Sequence, residues 1–256
     1  MSALTDIFSS IANAIRGRNG SQSTYKPEEM ANAINAIEPM PDGKGVYVSK
    51  DSGTTNLYRF FYSNALRADE YLVGTNNTIY IGKGVTDMSQ FSYYLNNVGG
   101  TNYLGHIHNV VMKSERVINM TQAFTNLFNL NCKVNIPETV TLLSNAFSNC
   151  FNYNQPIIYI PANVTNIAYM FRGCRNLQSD IYFNNSSKFT SYGNVRYFLQ
   201  ATGSNRINIH CDNASPFIQT STYIRGTSGG TWSTMDNGYY NAAVNCYIYN
   251  NYVGAR

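Results

Sequence analysis

The chain has 256 residues, a net charge of +4, 43% hydrophobic residues and only 12% charged residues. That is enough apolar content for a packed core, at about half the usual share of charge. A weak positive balance without a Lys/Arg run is no electrostatic footprint for nucleic acid, and no run of 18 apolar residues offers a membrane span.

From the N-terminus, Leu4, Ile7, Phe8, Ile11 and Ile15 fall at helical spacing, and "RGRNG" (16–20) ends that helix. No basic start precedes a continuous apolar core, so no signal peptide is expected. A second helix is expected from Pro27, a favoured first helical position, with Glu28 and Glu29 in its first turn. Met30, Ala33, Ile34 and Ile37 make its stripe. Two such helices bury too little to stand alone, so 1–38 is read as an anchor or oligomerisation module with 39–45 as linker. The stretch "LTDIFSSIANAIRGRNGSQSTYKPEEMANAINAI" (4–37) resembles a recurrent N-terminal module of bacteriophage tail, baseplate and head-fibre proteins, although Gly17-Arg18-Asn19 replaces its usual charged pair and Thr. That resemblance implies a virion protein. Its apolar stripes (Leu4, Ile7, Phe8, Ile11, Ile15, Met30, Ile34, Ile37) would then hold other virion proteins or sister copies.

Residues 46–256 read as a repeat domain. "FFYSNALRADEYLVGTNNTIYIGKGV" (60–85) suits a first unit with a strand at Ile79–Ile81, and 85–112 a looser second one. A regular pattern follows. Val117, Met120, Ala123, Phe124, Leu127, Leu130, Val134 and Ile136 correspond to Val140, Leu143, Ala146, Phe147, Cys150, Tyr153, Ile158 and Ile160. They correspond again to Val164, Ile167, Met170, Phe171, Cys174, Leu177, Ile181 and Phe183. The i, i+3, i+4, i+7 part predicts a short helical turn, and the period-2 part a strand with one face inside. Self-similarity at this period predicts a solenoid with stacked strands in a parallel sheet and Phe124, Phe147 and Phe171 in one column. "IPETVTLLSNAFSNCFNY" (136–153) and "IPANVTNIAYMFRGCRNL" (160–177) resemble the BspA-type leucine-rich repeat. The expected class is therefore α+β: a small N-terminal helical hairpin, then a leucine-rich-repeat solenoid. "INIHCDN" (207–213) and "CYIYNN" (246–251) read as later strands, and the Gly-rich 225–238 as a loop or cap.

Little in the sequence suggests catalysis. "HIH" (106–108) places two histidines on one side of a strand without a visible third metal ligand. "DGKG" (42–45) and "GKG" (82–84) lack the spacing of a phosphate loop. Asp69, Glu70, Asp87 and Glu115 show no helpful local context for paired-carboxylate chemistry. Cys150 and Cys174 occupy equivalent repeat positions, where packing residues or a disulfide both suit. No cofactor or metal is expected. The 21 tyrosines are more telling. In strands such as Ile158-Tyr159-Ile160 the Tyr points away from the core, so Tyr80, Tyr159, Tyr182, Tyr247 and Tyr249 are expected on an outer sheet face. Tyr with Asn offers stacking and hydrogen bonds at low entropy cost, a chemistry suited to a bacterial surface glycan or protein. The functional expectation is a non-enzymatic virion protein, assembled in the host cytoplasm, that attaches to the host surface through its repeats. The alternatives are a capsid decoration or tail-assembly subunit with no receptor role and, behind it, a cell-wall or glycan hydrolase.

Overall fold

A computed structural model describes residues 77–82, 85–96, 104–218, 232–250 and 252, together with the strand backbones of 46–49 and 57–60. The expected N-terminal hairpin and linker lie outside the described residues.

The described fold is mostly β. Strands β1 (Val46–Ser49), β2 (Leu57–Phe60), β3 (Asn77–Ile81) and β4 (Ile107–Met112) form a four-stranded sheet in the order β2-β1-β3-β4. Strands β5 (Ile157–Ile160), β6 (Asp180–Phe183), β7 (Ile207–His210), β8 (Ser233–Met235), β9 (Gly238–Asn241) and β10 (Cys246–Tyr249) form a six-stranded sheet ordered β5-β6-β7-β10-β9-β8. The only α-helices among the described residues are α1 (Phe91–Leu95) and α2 (Ser215–Ile218).

This overturns the expected α+β class and its leucine-rich-repeat solenoid with one parallel sheet. Both sheets are mixed: β5, β6, β7 and β10 run parallel, but β10-β9 and β9-β8 are antiparallel. In the other sheet β3-β4 is parallel while β1 pairs antiparallel with β2 and β3. Part of the Gly-rich 225–238 segment, expected as a loop or cap, supplies β8 and the first residue of β9. Val134 and Ile136, expected in a strand, lie in none.

The helical turns are also corrected, for a backbone reason. Two residues in each unit adopt positive φ: Gln122 and Asn126, then Asn145 and Asn149, then Tyr169 and Gly173, then Tyr197 and Ala201. A left-handed residue at every fourth position interrupts an α-helix. The chain makes successive tight turns instead, with Ala123 N–H donating to Met120 O and Leu127 N–H to Phe124 O. The left-handed residues and their neighbours donate onward to the next unit. Phe124 N–H reaches Ala146 O, Phe147 N–H reaches Met170 O, and Phe171 N–H reaches Phe198 O. Asn and Gly suit such positions best. At Gly173 (φ 75°) an added Cβ would come within 2.3 Å of Asn149 Oδ1.

The period therefore does set the packing. Phe124, Phe147, Phe171 and Phe198 are fully buried and contact in sequence at 5.4, 5.6 and 5.7 Å between ring centres. Asparagines form side-chain ladders at the rim: Asn176 Nδ2 donates to Asn152 Oδ1 at 3.1 Å, and Asn152 Nδ2 to Asn129 Oδ1 at 3.0 Å. Cys150 and Cys174 are free and buried. Their thiols donate to Phe124 O and Phe147 O, each at 3.0 Å, which makes them packing residues tied to the preceding unit. Burial pushes both thiol pKa values well up.

Candidate binding face

The six-stranded sheet has one buried face. Ile158, Ile181, Ile209 and Ile248 align in register on it and are fully or almost fully covered. Alternation then dictates the outer face. Tyr159 pairs with Tyr182, Tyr182 with His210, and His210 with Tyr249, so one row of rings crosses β5, β6, β7 and β10. The rings lie nearly parallel. Their centres are 5.3 Å apart for Tyr159–Tyr182, 4.2 Å for Tyr182–His210 and 4.9 Å for His210–Tyr249. These distances approximate the spacing of neighbouring strands, so the strand ladder itself sets the stack. Tyr252 meets Tyr182 edge-on at 4.9 Å.

A second outer row runs beside it through Asp180, Asn208, Tyr247 and Tyr240. Arg206 ties the rows together. Its guanidinium lies 4.0 Å from the centre of the Tyr247 ring, Nε donates to Asn208 Oδ1 at 2.9 Å and Nη2 to Tyr249 Oη at 3.0 Å. Asn208 Nδ2 in turn donates to Asp180 Oδ1. Next to this network is a cavity of about 380 Å³ lined by Asn154, Gln178, Ser179, Asp180, Arg206 and Asn208, with Pro156.

Of the five expected tyrosines, four share this face: Tyr159 and Tyr182 with Tyr249 in the first row, and Tyr247 in the second. Tyr80 does not. It sits half-buried in β3, in the four-stranded sheet. The anchor residues Leu4, Ile7, Phe8, Ile11, Ile15, Met30, Ile34 and Ile37 lie outside the described residues. The sequence reading missed His210, Asp180, Asn208 and Arg206. The signal for the first three was present: "INIH" and "DIYF" alternate like "IIYI", which puts His210 in the place of a Tyr and Asp180 opposite Asn208.

His106 sits in the 3-10 turn Leu104–His106 and His108 in β4. Among the described residues, no group of three or more His, Cys, Asp or Glu is placed to hold a metal ion.

Residues 84–209 match the family described as "Mycoplasma protein of unknown function, DUF285". No curated protein and no solved structure matches the chain. The DUF285 stretch contains both segments, 136–153 and 160–177, that resemble the BspA-type repeat. It carries Tyr159, Tyr182, Asp180, Arg206 and Asn208, and stops short of His210 and Tyr249.

The electrostatics of the row are set by burial. Burial between the rings holds the His210 imidazole below its ordinary 6.5, against the upward pull of Asp180, whose Oδ1 is 3.8 Å from Nε2. Burial raises the Tyr182 hydroxyl, helped by the charge of Asp180. The sign for His210 follows. Below pH 6.5 the unfolded chain binds the proton before the folded one does, so stability falls on acidification. The expected result is a lower unfolding midpoint at about pH 5 than at about pH 7, with a smaller drop in His210→Gln. Asp212 acts in a separate window. Burial raises it, but hydrogen bonds from Ser186 and Ser187 outweigh burial and hold it below 3.8, so its contribution is lost only in stronger acid.

Proposed function

We propose that the protein is a non-enzymatic attachment protein whose outer sheet face binds a surface saccharide. The observation that carries this is the cavity of about 380 Å³ beside the tyrosine rows. That volume falls in the range of small-molecule sites, roughly 300–1,000 Å³. Its polar lining is amides, one hydroxyl, one carboxylate and one guanidinium, which together offer the donors and acceptors that vicinal hydroxyl groups need. Asp180 and Arg206 balance in charge, which favours a neutral ligand over an anionic one.

The finer reading sets the chain on a bacteriophage virion, as a tail, baseplate or head-fibre component held by residues 1–38. Its support is the sequence resemblance of residues 4–37. Many copies on one particle would convert weak single contacts into avidity.

The test is co-sedimentation of the full chain with bacterial cells before and after periodate oxidation of their glycans. Binding that periodate abolishes is the expected result; binding that survives it overturns the saccharide reading. Arg206→Ala, which loses the contacts to Asn208, Tyr247 and Tyr249 together, is expected to weaken binding about tenfold, or ~1.4 kcal/mol.

A further inference from the structure

We infer that the open end of the aromatic row, at Tyr159, is a subsite for one neutral pyranose ring; this inference rests on the saccharide reading above.

The geometry of the row comes first. Its rings stack along the direction in which strands pair, so each interior ring has both faces covered by its neighbours. Tyr182 and His210 turn only their edges to solvent. A ligand ring cannot lie flat on them. It can stack only where the row ends. At the β10 end, Tyr249 is held through its hydroxyl by Arg206 and faces Gly238 across the ladder. At the other end, β5 is the edge strand and Tyr159 is 48% exposed. The unit before β5 would be expected to place a strand there, at Val134–Ile136, but this stretch forms none. A cavity of about 110 Å³ lies there, lined by residues 133–136 and Glu138 together with Gln155, Ile157 and Tyr159.

Size and chemistry select the occupant. The cavity of about 110 Å³ is too small to enclose a sugar ring, but it opens beside the exposed Tyr159, so a six-membered ring can rest on Tyr159 with one edge in the cavity and the rest in water. An aromatic ring would cover Tyr159 but would offer no hydrogen-bonding group to Lys133, Glu138 and Gln155, which line the same cavity. A pyranose offers both parts: an apolar C–H face for Tyr159, and hydroxyls in the ring plane for the carboxylate, ammonium and amide. Lys133 and Glu138 cancel in charge, as Arg206 and Asp180 do in the larger cavity.

The two cavities are neighbours along the chain. Asn154 and Pro156 line the larger, while Gln155 and Ile157 line the smaller. Ile157, 44% exposed, lies beside this divide. An oligosaccharide crossing Pro156 and Ile157 would place one sugar in each.

The test is an NMR titration of the full chain with glucose, galactose and N-acetylglucosamine, and with cellobiose, lactose and N,N′-diacetylchitobiose. Wild type, Tyr159→Ala and Tyr159→Phe are compared, with unfolding midpoints to verify folding. The expected result is that at least one disaccharide shifts the Tyr159 ring and Gln155 amide signals. Tyr159→Ala should weaken that binding at least tenfold, and Tyr159→Phe should keep most of it. If sugars shift Asn154, Asn208 and Arg206 while Tyr159→Ala binds as well as wild type, the end subsite is overturned and the saccharide reading stands. If none of the six sugars shifts either set, both fall.

Discussion

Phe147→Ala is expected to cost about 3–5 kcal/mol of unfolding free energy, the range for truncating a fully buried phenylalanine. Phe147 is completely covered and touches Phe124 at 5.4 Å, Tyr153 at 4.8 Å and Phe171 at 5.6 Å between ring centres. The size of the loss depends on whether neighbours can close the space. Here they are held apart. The turns on either side are spaced by backbone bonds from Phe124 N–H to Ala146 O and from Phe147 N–H to Met170 O, and by the thiols of Cys150 and Cys174. The cavity should therefore stay open. A loss of this size consumes much of a typical domain stability of roughly 5–15 kcal/mol. Urea unfolding followed by circular dichroism measures it, with the half-exposed Ile118→Ala as control, expected to stay within about 0.5 kcal/mol. A loss at Phe147 no larger than the control's would mean that the phenylalanine column is not the core.

The same column shows what the sequence could and could not reveal. The 23- and 24-residue steps from Val117 to Val140 to Val164 were readable, because each buried position must recur for turns to stack. The local conformation was not. Met170, Phe171, Cys174 and Leu177 have helical spacing, and consecutive tight turns closed by i+3 hydrogen bonds repeat at nearly the same interval. The distinguishing mark was Asn or Gly at 126, 145, 149 and 173, inside a stripe where a helix would disfavour them. The strand missing at 133–136 had no such mark. "KVNIPE" and "YIPA" both lead into proline, and only the first fails to pair.

The outer aromatic face was readable for the same reason as the strands. Alternation in "IIYI", "DIYF" and "CYIY" fixes which side chains point out, and four of the five chosen tyrosines do share that face. Tyr80 lies apart from the other four because two sheets divide the strands, and alternation within one strand carries no information about which sheet it joins. Ring orientation was equally hidden. Stacking along the strand-pairing direction depends on neighbours in space, and it turns a row that looks like a flat platform into one with usable faces only at its ends. Arg206 lies just before β7, outside the alternation, and only its three partners reveal it.

Gly238→Ala should be nearly as damaging as the cavity at Phe147, at ~3 kcal/mol, the upper end for a forced steric insertion. Gly238 opens β9 with φ 153°, opposite Tyr249 and Met235. A Cβ there would lie 1.8 Å from Ile248 O and 2.9 Å from Ile248 C. These are backbone atoms, so no side-chain rotation relieves the clash. The strand that carries them cannot retreat, because β10 is paired to β7 on one side and β9 on the other. The hairpin of β8 and β9 is the part with somewhere to go, since β8 is an edge. The loss should therefore be local. Hydrogen exchange should quicken at residues 238–241 while the amides of 120–174 keep their protection. The change should also reach the aromatic row, because a displaced β9 removes the support opposite Tyr249 and loosens its 4.9 Å stack on His210. Uniform exchange across both regions would instead mean that the hairpin and the stacked turns unfold as one unit. Unchanged exchange at 238–241 would mean that β9 does not pack on β10 as described.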